Sequence, residues 1–237
     1  MIPKNIYQTW KTQNLHSKVE KLRSKMIQNN PGYNLILYTD EQMHDFVNSN
    51  YDKDIFEKFN SIKNIVSKAD FWRYLILYKN GGVYVDIDSL ILKNLDLMIE
   101  KNDEAVITAE QNQDCFVQWA LVFNKNHPIL ESTINLLIEN MVTGKFKNDV
   151  LNFSVKPYWE SVNRFLQLNA GNFGWSNIDK NTNKLVESTS TNARFFGVDY
   201  NDFIQFKHKF NHLLRNKSKG LKTIDHWTVT QEQFEIY

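Results

Sequence analysis

One cysteine, Cys115, in 237 residues excludes a disulfide framework within the chain. Four prolines and eight glycines leave no Pro-rich or Gly/Ser-rich linker. No internal repeat divides the sequence either, so the expectation is a single domain over residues 1–237. No run approaches the ~20 apolar residues that a membrane-spanning helix needs. The opening MIPKNIYQTWK is too polar for a signal peptide, and the expected location is cytoplasmic. Charge of one sign is also missing: a formal net charge of +1 creates no strong field for nucleic acid or an acidic membrane. Neither is an expected partner. What is present is a residue supply that is 42% hydrophobic and 14% aromatic, which argues for a folded core despite the abundance of Asn and Lys. Two sequons, Asn152-Phe153-Ser154 and Asn216-Lys217-Ser218, bear on glycosylation only in a secreted chain.

Residues Lys4 to Trp10 read as a first strand and Tyr33 to Asp40 as a second. Between them, SKVEKLRSKMIQNNPG has helical spacing and stops at Pro31-Gly32. Strand, helix and strand open an α/β arrangement with parallel strands. A short helix is expected from Asp40, with that aspartate as N-cap. Ile62, Ile65, Val66, Ala69, Trp72 and Ile76 recur at helical spacing and predict a largely buried helix over Ser61–Tyr78, ended by Asn80-Gly81-Gly82. The period then changes to two, with Val83, Val85 and Ile87 alternating against Tyr84, Asp86 and Asp88. Further strands are expected at Asp103–Glu110 and Cys115–Phe123. Helices are expected from His127-Pro128 to Glu139 and from Asp149 to Leu168. GVDYNDFIQF reads as strand or loop, and TIDHWTVT is the last readable element.

On a strand, Asp86 and Asp88 would emerge on one face about 6–7 Å apart. Sheets of this kind bind ligands at the C-terminal ends of their strands. Paired carboxylates there suit a hard divalent cation, Mn²⁺ or Mg²⁺, whose remaining ligands are substrate phosphates. An isolated D-x-D is common by chance, and its context is what gives it weight. Asp70 and Arg73 lie three residues apart, on one face of an otherwise apolar helix that runs through the Gly-Gly turn into the D-x-D segment. A charged pair so placed fits a polar pocket that binds hydroxyls or phosphate oxygens.

The ordered set Ala69-Asp70, Arg73-Tyr74, Gly81-Gly82, Val83-Tyr84-Val85 and Asp86-Ile87-Asp88 resembles the donor site of a glycosyltransferase family. That family is the DXD-containing one of the fungal initiating α-1,6-mannosyltransferase type, more distantly like the large glucosylating bacterial toxins. IPKNIYQTWK is similar to that family's opening strand, with Tyr7 where histidine is usual. Gln118, Trp119, His127 and Pro128 match its mannosyltransferase branch. The resemblance implies a GT-A-like nucleotide-sugar-binding fold with a mostly parallel central sheet flanked by helices. It also implies retaining transfer of a hexose, from GDP-mannose or a UDP-hexose, to a glycan or other hydroxyl acceptor.

By the same resemblance, Trp10 stacks on the nucleobase and Asp88 binds the metal. Asp86 meets the ribose or a metal-bound water, Asp70 and Arg73 hold sugar hydroxyls, and Tyr84 lines the pocket. Asp86, Asp88 and Arg73 form the expected catalytic group. Two departures stand out. Val155-Lys156-Pro157 replaces a Thr-Gly-Pro, and Asp225-His226-Trp227-Thr228-Val229-Thr230-Gln231 replaces a His-His-x-x-Gly-Ser-Trp. There Asp225 or His226 would complete the metal ligands. These departures also fit an inactive nucleotide-sugar-binding module. A D-x-D phosphatase is the remaining alternative, although Leu90 stands where its motif wants Thr or Val. His208 and His212 have zinc-compatible spacing but lack the intervening glutamate, and read as exposed helix histidines among lysines.

Overall fold

The computed structural model describes residues 1–111, 114–147 and 149–205. Asp225, His226, His208, His212 and the TIDHWTVT segment lie outside the described residues. Among the described residues no helix is long and apolar enough to cross a membrane.

The chain opens as strand β1 (Asn5–Thr9), helix α1 (Ser17–Asn29) and strand β2 (Asn34–Tyr38). These are followed by helices α2 (Asp40–Asn50), α3 (Lys53–Ser61) and α4 (Ile65–Asn80). Then come strands β3 (Gly82–Val85), β4 (Leu90–Ile91), β5 (Ala105–Glu110), β6 (Cys115–Phe116) and β7 (Ala120–Phe123). Helices α5 (Pro128–Thr143) and α6 (Val150–Ala170) precede strands β8 (Asn183–Glu187), β9 (Asn192–Val198) and β10 (Ile204–Gln205). The main sheet has the order β2-β1-β3-β7-β5-β9-β8, with β6 paired to β5. β2, β1, β3, β5 and β9 run one way, and β7, β6 and β8 run against them. The sheet is therefore mostly parallel, as expected.

Alternation along each strand builds two cores. Tyr7, Tyr84, Ile107, Leu121 and Phe123 face the cluster formed with α4, α5 and α6. Their neighbours Ile6, Val83, Val85, Val106 and Val122 face the opposite cluster with Met26 of α1. Helix α4 is apolar nearly all round and buried accordingly, with Phe71, Trp72, Tyr74, Leu75, Ile76 and Leu77 all inaccessible.

The helix expected over Ser61–Tyr78 forms but starts later, at Ile65, because Ser61 is the last residue of α3. Asn64 accepts from the Val66 and Ser67 amides and starts α4 afresh. The N-cap of α2 is Thr39 rather than Asp40: its hydroxyl accepts from the Gln42 amide while the Gln42 side chain returns to the Thr39 amide. The expected strand Cys115–Phe123 is broken, because β6 folds back on β5 whereas β7 inserts between β5 and β3.

His127 caps α5. Its Nδ1 accepts from the Ile129 amide at 3.3 Å, so its Nε2 carries the proton and donates to the Asn192 carbonyl at 3.0 Å. Burial pushes this imidazole down to about 4. The fold therefore binds the neutral ring, and the unfolded chain takes up a proton first as pH falls. Stability is complete above the ordinary histidine pKa and is lost progressively from about pH 6.5 towards 4, by roughly 3 kcal/mol in all. Urea midpoints measured across that interval should fall with pH, and His127→Asn, which keeps a capping oxygen, should flatten the slope.

Candidate donor and metal site

Parallel β1, β2 and β3 bring their C-terminal ends to one edge, with Thr9 opposite Tyr38 and Tyr7 opposite Tyr84. Close approach of β3 to β1 depends on Gly82. At φ +115° a Cβ there would lie 2.7 Å from the Asn5 carbonyl oxygen.

The expectation that Asp86 and Asp88 share a strand face is corrected. β3 ends at Val85; the Asp86 amide donates to the Trp119 carbonyl at 2.9 Å, and the Ser89 amide closes back on the Asp86 carbonyl at 2.9 Å. The D-x-D thus lies on a turn beyond the sheet edge. Gln8 steadies that turn by donating from Nε2 to the Asp86 carbonyl at 3.3 Å, and its own Oε1 accepts from Arg23.

Arg73 sits behind the turn. Its NH2 group reaches Asp70 Oδ1 at 2.5 Å and Asp86 Oδ1 at 3.1 Å, while NH1 donates to the Gln118 carbonyl at 3.0 Å. The Tyr84 hydroxyl donates to the same Asp86 oxygen at 2.9 Å, and its ring lies 4.8 Å from the guanidinium carbon. Asp70 Oδ2 accepts from Ser154 Oγ of α6 at 2.6 Å. Burial alone would lower the Arg73 pKa, but the Asp70 and Asp86 carboxylates outweigh it and hold the group above its ordinary value. Burial likewise raises the Tyr84 phenol, Arg73 opposes, and Asp86 adds to the rise, so the hydroxyl keeps its proton for Asp86.

The structure therefore joins Arg73, Asp70, Tyr84 and Asp86 in one network. The side chains of Arg73 and Asp70 are only 6% and 9% exposed, against 24% for Asp86. Their bonds hold the turn from inside. Asp88 is half-buried, and Trp10, also half-buried, is fixed beside β2 by its backbone N–H, which donates to the Tyr38 carbonyl at 3.0 Å. Three carboxylates (Asp70, Asp86, Asp88) against one guanidinium leave two formal negative charges at this corner. Asp86 and Asp88 offer oxygen donors of the kind a hard divalent cation takes; among the described residues no group of three or more acidic, histidine or cysteine side chains is gathered to hold one.

Sequence reasoning missed two residues here. Ser154 lies 84 positions from the aspartate it serves, and its only visible signal was membership of a sequon. Glu110 ends β5, which runs parallel to β3 and so delivers it to the same sheet edge. Burial pushes its carboxyl up to about 7, eased by a hydrogen bond from Cys115, whose thiol burial raises to about 12.

Compared with known proteins, residues 16–105 match the family described as the glycosyltransferase sugar-binding region containing the DXD motif. The chain is 30% identical over 161 residues to inositol phosphoceramide mannosyltransferase 3 of Schizosaccharomyces pombe, a match covering 68% of this chain and 44% of that protein. It is 29% identical over 168 residues to the initiation-specific alpha-1,6-mannosyltransferase of Candida albicans, covering 60% and 44% respectively. The chain thus spans less than half the length of these curated relatives. Among solved structures, PaToxG Glycosyltransferase superposes with a TM-score of 0.56 over 69% of each chain at 20% identity. The fold is GT-A-like.

Ser154→Ala should cost about 1–2 kcal/mol, because Asp70 loses a buried donor while Arg73 remains. A urea titration measures the loss, and an unchanged midpoint would show that the hydroxyl contributes nothing to the network.

Proposed function

For a chain that carries the DXD sugar-binding region of this glycosyltransferase family, we propose transfer of a hexose from a nucleoside-diphosphate sugar to a hydroxyl of a glycan or other acceptor. Configuration at the anomeric carbon is retained, and residues 1–237 act as one catalytic domain. The observation that carries this reading is the D-x-D turn, set past the end of β3 beside parallel β1 and β2, with Asp86 braced from within by Arg73.

Asp88 and Asp86 would hold Mn²⁺ or Mg²⁺, with Asp225 or His226 as the additional ligand from the C-terminal segment. When bound, such an ion supplies countercharge to the leaving diphosphate. The chain's own residues do the rest by position. Trp10 offers a stacking surface for the base, a contact worth about 1–3 kcal/mol in comparable sites. Arg73 and Tyr84 orient the Asp86 carboxylate through its Oδ1, and Asp70, held by Ser154, fixes Arg73. Arg73 and Asp70 are in this reading positioning residues. Preorganisation of this kind lowers the barrier because nothing need reorient as charge develops.

Asp88→Ala should lower Mn²⁺-dependent turnover of GDP-mannose or UDP-hexose about 100-fold or more. Its circular dichroism should match the parent, so that the loss of turnover reads on the site and not on the fold. Turnover at the parent rate would overturn the assignment. A parent protein that binds the donor without hydrolysing or transferring it would support the inactive module instead.

A further inference from the structure

Across the sheet the strands run β2, β1, β3, β7, β5. The D-x-D turn follows β3, and Glu110 is the last residue of β5, which runs parallel to β3 and ends at the same edge. Two strand spacings, about 10 Å, separate the lines of β3 and β5. One short stretch of chain bridges them. Cys115 pairs with Glu110, after which the chain leaves β5 and enters β7 beside β3. At the far end of that stretch the Gln118 carbonyl accepts from Arg73 at 3.0 Å and the Trp119 carbonyl from the Asp86 amide at 2.9 Å. Glu110 and the D-x-D turn are thus fixed by opposite ends of the segment Cys115 to Trp119.

Glu110 is half-buried, and the Cys115 thiol donates to its Oε2 at 3.6 Å, a weak bond. Among the described residues no lysine or arginine pairs with this carboxyl. Its titratable surroundings are Cys115 of β6, Asp114 just before it and Asp199 just past β9. Burial pushes the carboxyl up to about 7; Cys115 eases that rise, Asp199 adds to it and the Trp119 side chain eases it again. A half-buried carboxyl without a cation costs stability, and such groups gather where chemistry needs them.

We infer that Glu110 receives the acceptor: its carboxylate takes the hydrogen bond of the attacking hydroxyl, and then its proton as the new bond forms. This rests on the nucleotide-sugar reading above and deepens it. With the diphosphate held at the D-x-D turn, the span between β3 and β5 has room for a sugar ring and the attacking group. The acceptor oxygen bonds to the anomeric carbon. The bond from that carbon to the phosphate oxygen breaks, its electron pair leaving with the diphosphate, and the hydroxyl proton passes to the carboxylate. A carboxyl that titrates near neutrality suits this task, being ionised at working pH yet basic enough to hold the proton.

Hydrolysis of GDP-mannose and UDP-glucose by the full chain with Mn²⁺, water standing as the acceptor, tests this as a function of pH. Parent turnover should rise with pH and level off above about 7, as Glu110 loses its proton. Glu110→Gln should lower turnover about 100-fold or more and remove the rise, while binding GDP or UDP as the parent does in titration calorimetry. Cys115→Ala removes a donor that favours the ionised carboxylate, so its rise should move to higher pH. At pH 8 Glu110→Gln should also melt above the parent, because the raised carboxyl is ionised there at a cost that the amide avoids, and the difference should fade towards pH 5. A variant both slower and more stable is not a misfolded one. Parent-like hydrolysis by Glu110→Gln, a pH rise that survives in it, or its loss of nucleotide binding would overturn the role of Glu110 and leave the donor reading standing. A parent that binds neither nucleotide would sink both.

Discussion

The buried guanidinium of Arg73 is the interaction on which the corner depends. It contacts a carboxylate from its own helix, a carboxylate from the D-x-D turn and a carbonyl from the stretch before β7. Each of these lies on a different piece of chain, so one cation closes three segments together. Burying such a charge is costly, and a pair of this kind is weak evidence for net stability. Removing either partner would nonetheless strand the other, at roughly 3–5 kcal/mol. The network is therefore better understood as a device for specifying one arrangement of the turn than as a source of stability.

Much of that arrangement follows from the sheet. Parallel β1, β2 and β3 end together, and Gly82 at the start of β3 allows it to lie against β1. Tyr84 is the last residue of β3 to face the α4 side, and its ring and hydroxyl both meet the polar network. Apolar alternation thus delivers a tyrosine that belongs to the core by its body and to the site by its tip. The basic logic is that of a ligand crevice at strand ends, with helix α4 supplying the charge.

The sequence made parts of this legible for physical reasons. Alternation over Val83–Val85 and the helical spacing of Trp72 and Ile76 are local, and local patterns can be read without tertiary context. The ordered run from Asp70 to Asp88 marked the polar corner at the strand ends, and residues 16–105 match the DXD-containing sugar-binding region. What could not be read were features decided by distant partners. The strand stops at Val85 because Trp119 takes the next amide and Ser89 folds back; alternation alone carried it on to Asp88. The buried setting of Asp70 depends on Ser154, from a helix far along the chain. The β8–β9 hairpin also escaped, and β10 was covered only by a stretch left as strand or loop, because it and its partner β4 are each two residues long.

The bond between Ser154 and Asp70 has one more consequence. It ties α6, which packs on α5 and flanks the sheet, to the carboxylate that secures Arg73. Thermodynamic linkage is reciprocal: whatever shifts α6 must bias the turn, and whatever occupies the turn must stiffen α6. In hydrogen exchange, amides around Ser154 would then slow when a ligand fills that turn, making a remote helix a reporter of occupancy.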